Sequence, residues 1–263
     1  MELNLSGKTA LVTGASGGLG FAAALSLAAE GVRLAINSRS KENLTRAAQK
    51  INEKTGSAPL IVIGDLSETG APERIATEAR ASLGAVDIFV SNAGGPPAGF
   101  FADLDQDAWR RSADLTLHSA IDLTRVVLPK MITRKWGRII YITSVAVKQP
   151  IDNLIISNVL RAGLTGFAKS LSNQVARSGV TVNTVMPGYT RTERLSYLAE
   201  KEAATAGKEP DDIFAAWAEK VPAGRLGDPS ELAALITFLA SERAAYITGT
   251  AIPVDGGYIK SLL

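Results

Sequence analysis

A doubly wound α/β fold, with a parallel sheet of about seven strands and helices on both faces, is predicted by three observations. Short β-branched runs that are apolar on both faces recur along the chain. Amphipathic stretches separate them, and most connections are short. In order, the run at 10–13 leads through a glycine turn into a helical pattern at 19–30. Runs at 34–37 and 60–63 lead into helices at 41–54 and 72–83. The run at 88–91 precedes a long helical stretch at 107–134, and that at 139–143 precedes one at 153–178. After the sixth strand, 180–185, the alternation breaks. Residues 189–227 form a long insertion rich in Ala, Glu and Lys, with a short helical pattern at 211–220. Such an insertion at a strand's C-terminal end is expected to be a substrate lid. Asp228-Pro229-Ser230-Glu231 then supplies an N-cap, a proline at the first helical position and a glutamate three residues after the cap, which starts a helix at 229–241. A last strand is expected at 251–254. No repeat or linker divides the chain, so residues 1–263 are read as a single domain.

Composition narrows the function. The 263 residues carry 28 basic and 26 acidic side chains, a net charge of +2, which gives no reason to expect nucleic acid or an anionic membrane as partner. There is no cysteine, which excludes disulfides, thiolate nucleophiles and cysteine-ligated zinc. One histidine, His118, excludes a histidine metal cluster, and no metal site is expected. The first residues lack the basic and apolar regions of a signal peptide, and no apolar run approaches the ~20 residues that span a bilayer. A cytoplasmic protein is expected.

The run 10–13 enters Gly14-Ala15-Ser16-Gly17-Gly18-Leu19-Gly20 and then a helix. Glycines permit the tight turn and close approach of the backbone to a pyrophosphate, and the helix N-terminus offers free N–H groups to it. The second strand ends Asn37-Ser38-Arg39. A carboxylate there would bind the ribose hydroxyls of NAD and repel the extra phosphate of NADP; a guanidinium suits that phosphate, so NADP(H) is expected over NAD(H).

With Ile142-Thr143-Ser144 and the stretch from Ile156 to Phe167, the whole chain resembles the short-chain dehydrogenase/reductases, and within them most closely the 3-oxoacyl-(acyl-carrier-protein) reductase branch. The resemblance implies a Rossmann-type fold and an oxidoreductase that reduces a small-molecule or acyl-carrier-linked carbonyl. It implies a cofactor site at Gly14, Ser16, Gly18, Leu19, Gly20, Ser38 and Arg39, at Asp65 and Leu66 by the adenine, and at Asn92, Ala93 and Gly94. Pro187 and Gly188 would lie by the nicotinamide and Thr192 by the phosphates. Gly224-Arg225-Leu226-Gly227 and Val254-Asp255-Gly256-Gly257 complete the pattern. It also implies a homotetramer, with a dimer as the fallback, built on helices 107–134 and 153–178 and on the C-terminal strand.

The catalytic positions depart from the family. Ser144 matches its carbonyl-polarising serine. Thirteen residues on, the proton-donating Tyr position holds Ser157; four further, the Lys position holds Arg161; counting from Trp109, the Asn position holds Thr116. No tyrosine occurs from 142 to 188, and Lys169 lies about 12 Å beyond Arg161 along a helix. Arg161 keeps the charge that a ribose needs, whereas a serine hydroxyl ionises far above tyrosine's pH of about 10. Tyr189 and Tyr197 are candidate replacement donors, Tyr141 is expected to face away, and Asn153 and Asn158 could orient a water. Leu195, Tyr197, Leu198, Ile213, Phe214 and Trp217, with Pro96, Pro97, Phe100 and Phe101, are expected to line an apolar pocket. Arg134, Lys135 and Arg177 lie near where the related branch meets its acidic carrier. Two rival readings stand beside the reductase: a catalytically weak or inactive dinucleotide-binding protein, and a non-redox enzyme using His118 as base.

Overall fold

A computed structural model describes residues 1–262. Among the described residues, seven strands share one sheet: β1 (Thr9–Val12), β2 (Arg33–Ser38), β3 (Leu60–Ile63), β4 (Ile88–Ser91), β5 (Gly137–Ile142), β6 (Val180–Pro187) and β7 (Ala251–Val254). Their spatial order is β3-β2-β1-β4-β5-β6-β7, every neighbour parallel. The chain starts in the middle, winds outward to β3, then crosses back to set β4 beside β1. Winding reverses between β1 and β4, so a crevice opens there at the carboxyl ends of the strands. This is the Rossmann-type sheet expected from the alternation.

The helices are α1 (Gly18–Ala29), α2 (Lys41–Thr55), α3 (Ala71–Leu83), α4 (Gln106–Ala113), α5 (Ser119–Arg134), α6 (Ile155–Val175), α7 (Glu193–Ala206), α8 (Pro210–Lys220) and α9 (Pro229–Ala240). One face of the sheet packs on α1, α2 and α9 through Leu27, Leu44, Ile51, Ile236 and Leu239. The other packs on α3, α5 and α6 through Ile75, Leu123, Met131, Leu164 and Leu171. Burying each such side chain contributes about 1.5–3 kcal/mol. The strand ends that carry the crevice are therefore clamped from both sides.

Two elements differ from expectation. The stretch 107–134 is not one α-helix: a π-helical turn, Asp114–His118, separates α4 from α5. That turn holds one residue more than an α-turn allows and rotates the side chains on either side of it. The insertion after β6 also holds a helix beyond the expected 211–220 pattern. Thr192 caps α7, its Oγ1 accepting from Leu195 N at 3.2 Å, and Gly207 ends it at φ 63°. The buried stripe of α7 is only Leu195, Ala199 and Ala203, too sparse among Glu and Lys to stand out as a period.

Candidate active site

One cleft of about 1290 Å³ runs along the crevice, large enough for a dinucleotide and a small substrate. Its floor is the glycine turn. Asn92 holds that turn open by donating from Nδ2 to Gly14 O at 3.1 Å, while Thr13 Oγ1 donates to Asn92 O at 2.9 Å. Gly14 has φ 57°, and a Cβ there would stand 2.7 Å from Asn92. No side chain caps α1, so its first N–H groups are left for a ligand. Thr192 faces this cradle, its Cγ2 3.5 Å from where a Cβ on Gly18 would lie. The arrangement fits a pyrophosphate. Gly14, Ser16, Gly18, Leu19, Ala93, Gly94, Pro187 and Gly188 all line the cleft. Gly20 does not. It packs against the Gly14 carbonyl and Asn92, where a side chain has no room. Glu193, which sequence reading passed over, places its carboxylate 3.8 Å from a Cβ position on Gly17.

At the far end stand Ser38, Arg39, Asp65 and Leu66. Ser38 Oγ donates to Ser16 Oγ at 2.9 Å, joining the end of β2 to the turn. Burial alone would raise the Asp65 carboxyl, but bonds from Ser67 N (2.9 Å) and Oγ (2.7 Å), with the Arg39 charge, bring it below the usual carboxylate range. Asn37 is buried and tied to Val62 O and Gly64 O, and Ser38 is tied to Ser16, so Arg39 is the charged group that the strand end presents to the cleft.

At the opposite end, Ser144, Ser157 and Arg161 meet at the cleft wall. Ser144 follows β5, and its Oγ accepts from Ala146 N at 3.1 Å. Ser157 and Arg161, one turn apart on α6, are each 8% exposed. Arg161 Nη1 donates to Ile142 O at 2.9 Å. Burial pushes its pKa down to about 10, with the charge of Arg194 adding to the effect, so it remains a cation at neutral pH. Thr116 does not join them. It lies on the π-helical turn, buried, its Oγ1 without a hydrogen-bond partner among the described residues, and Leu115 lines the cleft instead.

Tyr141 is fully buried on the other side of β5, its hydroxyl 2.7 Å from Thr124 Oγ1. Asn158 donates to Ile151 O, whereas Asn153 lines the cleft. Tyr189 lines it too, stacked on Trp217 (centroids 5.2 Å apart, planes at 19°) and edge-on to Tyr258; burial raises its hydroxyl's pKa well above the ordinary value. Tyr197 lies outside, beneath the cations of Arg194 and Lys201. Of the apolar set, Leu195, Leu198, Trp217 and Phe100 reach the cleft. Ile213 is buried, and Phe214 packed, within the α7–α8 pair itself. His118 is outside the cleft, 2.8 Å from Asp114 on the exposed side of the π-turn.

Arg194, the second residue of α7, escaped sequence reading. It lines the cleft, its Nη2 donates to Pro96 O, and its Nε would lie 2.7 Å from a Cβ on Gly95. It thus bridges the insertion and the loop after β4. Among the described residues no three His, Cys, Asp or Glu side chains are grouped to hold a metal ion, and no helix is long and apolar enough to cross a membrane.

A glycine turn at a switch point, a serine after β5 and a cation one turn along α6 from the cleft wall define a class of protein. The chain belongs to the short-chain dehydrogenase/reductase family, whose members are NAD(P)-dependent oxidoreductases. The matching family profile, described as enoyl-(acyl carrier protein) reductase, spans residues 14–259. Among its relatives are 3-oxoacyl-(acyl-carrier-protein) reductase of Escherichia coli (strain K12), 36% identical over 97% of this chain and 98% of that one, and nodulation protein G of Azospirillum brasilense, 36% identical over 96% and 98%. L-Sorbose reductase of Gluconobacter frateurii, solved with NADPH and L-sorbose, superposes with a TM-score of 0.94 at 33% identity over the whole of both chains.

Proposed function

We propose that the protein is a cytoplasmic, NADPH-dependent reductase that converts a carbonyl to an alcohol with a rebuilt catalytic site. The observation that carries this reading is the continuity of one cleft from Arg39, past the glycine cradle, to Ser144, Ser157 and Arg161. The nicotinamide, when bound, supplies the hydride. Residues 189–227 act as the lid. Ser144 Oγ bonds the carbonyl oxygen. Arg161, fixed to Ile142 O through Nη1, has further N–H groups for the nicotinamide ribose. Ser157 leaves room, where a tyrosine would stand, for a water or a substrate group that would supply the proton taken up by the alkoxide oxygen. Losing a positioned acid costs about 10²–10⁴ in rate, while holding hydride and carbonyl together is worth up to ~7–11 kcal/mol, so turnover is slow but specific.

Following NADPH oxidation over a ketone panel tests this. The wild type should turn over one substrate class, and Ser157→Tyr with Arg161→Lys should abolish that activity by filling the space. A broad gain of activity in the double variant, from a wild type inert to every ketone, would establish the inactive dinucleotide-binding reading instead. We also infer a homotetramer, supported by the exposure of Val159 on α6 (51%). Light scattering at micromolar concentration should give four times the 27.6 kDa chain mass, and a monomer would contradict it.

A further inference from the structure

Arg161 and Arg194 approach the same part of the cleft from opposite walls. One comes from α6 and is tied to the end of β5; the other comes from α7 and is tied to the loop after β4. Arg161 is buried and Arg194 partly so. No carboxylate of a described residue lies within 4.0 Å of either guanidinium, although Asp103, Asp152, Glu193 and Glu202 line the same cleft. The strongest electrostatic neighbour of Arg161 is Arg194 itself. A buried and a partly buried cation sharing one cleft without an acid are costly in the protein alone, and such a pair persists where a ligand supplies the missing negative charge. Each guanidinium has one bond to a backbone carbonyl and four N–H groups left; those of Arg194 are enough for a forked grip on a planar anion, and Arg161 divides its own between that anion and the nicotinamide ribose.

We propose that Arg194 and Arg161 form a receptor for a carboxylate on the substrate, so that the protein reduces the carbonyl of an oxo acid. This rests on the reductase reading above and narrows its substrate class. The alternative source of the anion, the cofactor pyrophosphate, is disfavoured by position. The cradle for it is the α1 N-terminus facing Thr192, whereas Arg194 turns towards Gly95, Pro96 and Arg161.

The probes are pyruvate, acetoacetate and levulinate, each beside its methyl ester. The wild type should reduce at least one acid with a kcat/KM about 10- to 100-fold above that of its ester, the factor expected from one charge-assisted hydrogen-bonded pair. Arg194→Gln should remove that preference by raising KM for the acid at least 10-fold more than KM for its ester, while the NADPH Kd stays within twofold; the unchanged Kd also certifies the fold. In the NADPH complex the same acid should raise the melting temperature of the wild type and not of Arg194→Gln. Esters reduced as well as acids would overturn the carboxylate receptor and leave the reductase standing. An acid that binds through Arg194 without being reduced would do the reverse. A loss of NADPH affinity in Arg194→Gln matching its loss of acid turnover would assign the guanidinium to the pyrophosphate and end the proposal.

Discussion

Arg39→Ala should weaken NADPH binding about 10- to 100-fold and leave NADH binding unchanged. The side chain stands at the end of β2, where the adenosine ribose of a bound dinucleotide would come to rest, and a charged hydrogen bond to a phosphate is worth about 1.5–3 kcal/mol. Ser38, tied to Ser16, is too short to replace it. Removing the guanidinium also exposes the arriving phosphate to Asp65, whose carboxyl Arg39 helps to keep ionised. Fluorescence titration of both cofactors against wild type and variant measures the effect. Equal wild-type affinity for NADPH and NADH would refute the assignment of Arg39.

Arg161→Met should produce a protein that is more stable and nearly inactive. Burial holds the guanidinium's pKa down at about 10, below its ordinary range, so the unfolded chain binds that proton more tightly than the folded one. The resulting deficit is complete below pH 10 and fades only as pH rises from there towards the unfolded value. Over pH 6–9 it is constant, of the order of 3 kcal/mol at about 1.4 kcal/mol per pH unit. Methionine removes the charge while filling similar space, but it strands Ile142 O at a cost of about 1–3 kcal/mol. A net gain near 1 kcal/mol raises Tm by about 2–4 °C at this chain length, equally at pH 6 and pH 9. Reduction of the preferred substrate should fall at least ~100-fold. A Tm lowered by the substitution would mean that the guanidinium is a structural support and not a ligand-binding cation held at a cost.

Sequence reading placed all seven strands because each is a short apolar run, buried on both faces in β1, β4, β5 and most of β6, a pattern that needs no distant partner to be recognised. The glycine turn was equally plain, since it and the helix N-terminus that follows are consecutive in the chain. Reading failed where position depends on something the local pattern does not carry. Counting from Trp109 brought Thr116 to the catalytic set, but Thr116 is buried on the π-turn and its neighbour Leu115 lines the cleft. Arg194 sits on a helix whose buried stripe is mostly alanine, and its anchor, Pro96, is 98 residues away. The expected apolar lining shrank because Ile213 is spent on holding α7 to α8, with Phe214 packed beside it.

The stack of Trp217 on Tyr189 has a practical consequence. The chain has three tryptophans, and of these Trp109 and Trp136 do not line the cleft; the ring of Trp136 is in contact with the cations of Lys8 and Arg138. Trp217 alone looks onto the space where reduced nicotinamide would absorb its emission, and it rides on α8 beside the helix that carries Arg194. The protein is thus equipped with an internal optical gauge. Quenching of its near-ultraviolet emission, together with the sensitised glow of the bound dinucleotide, would time the arrival of each ligand in a stopped-flow mixer without any dye.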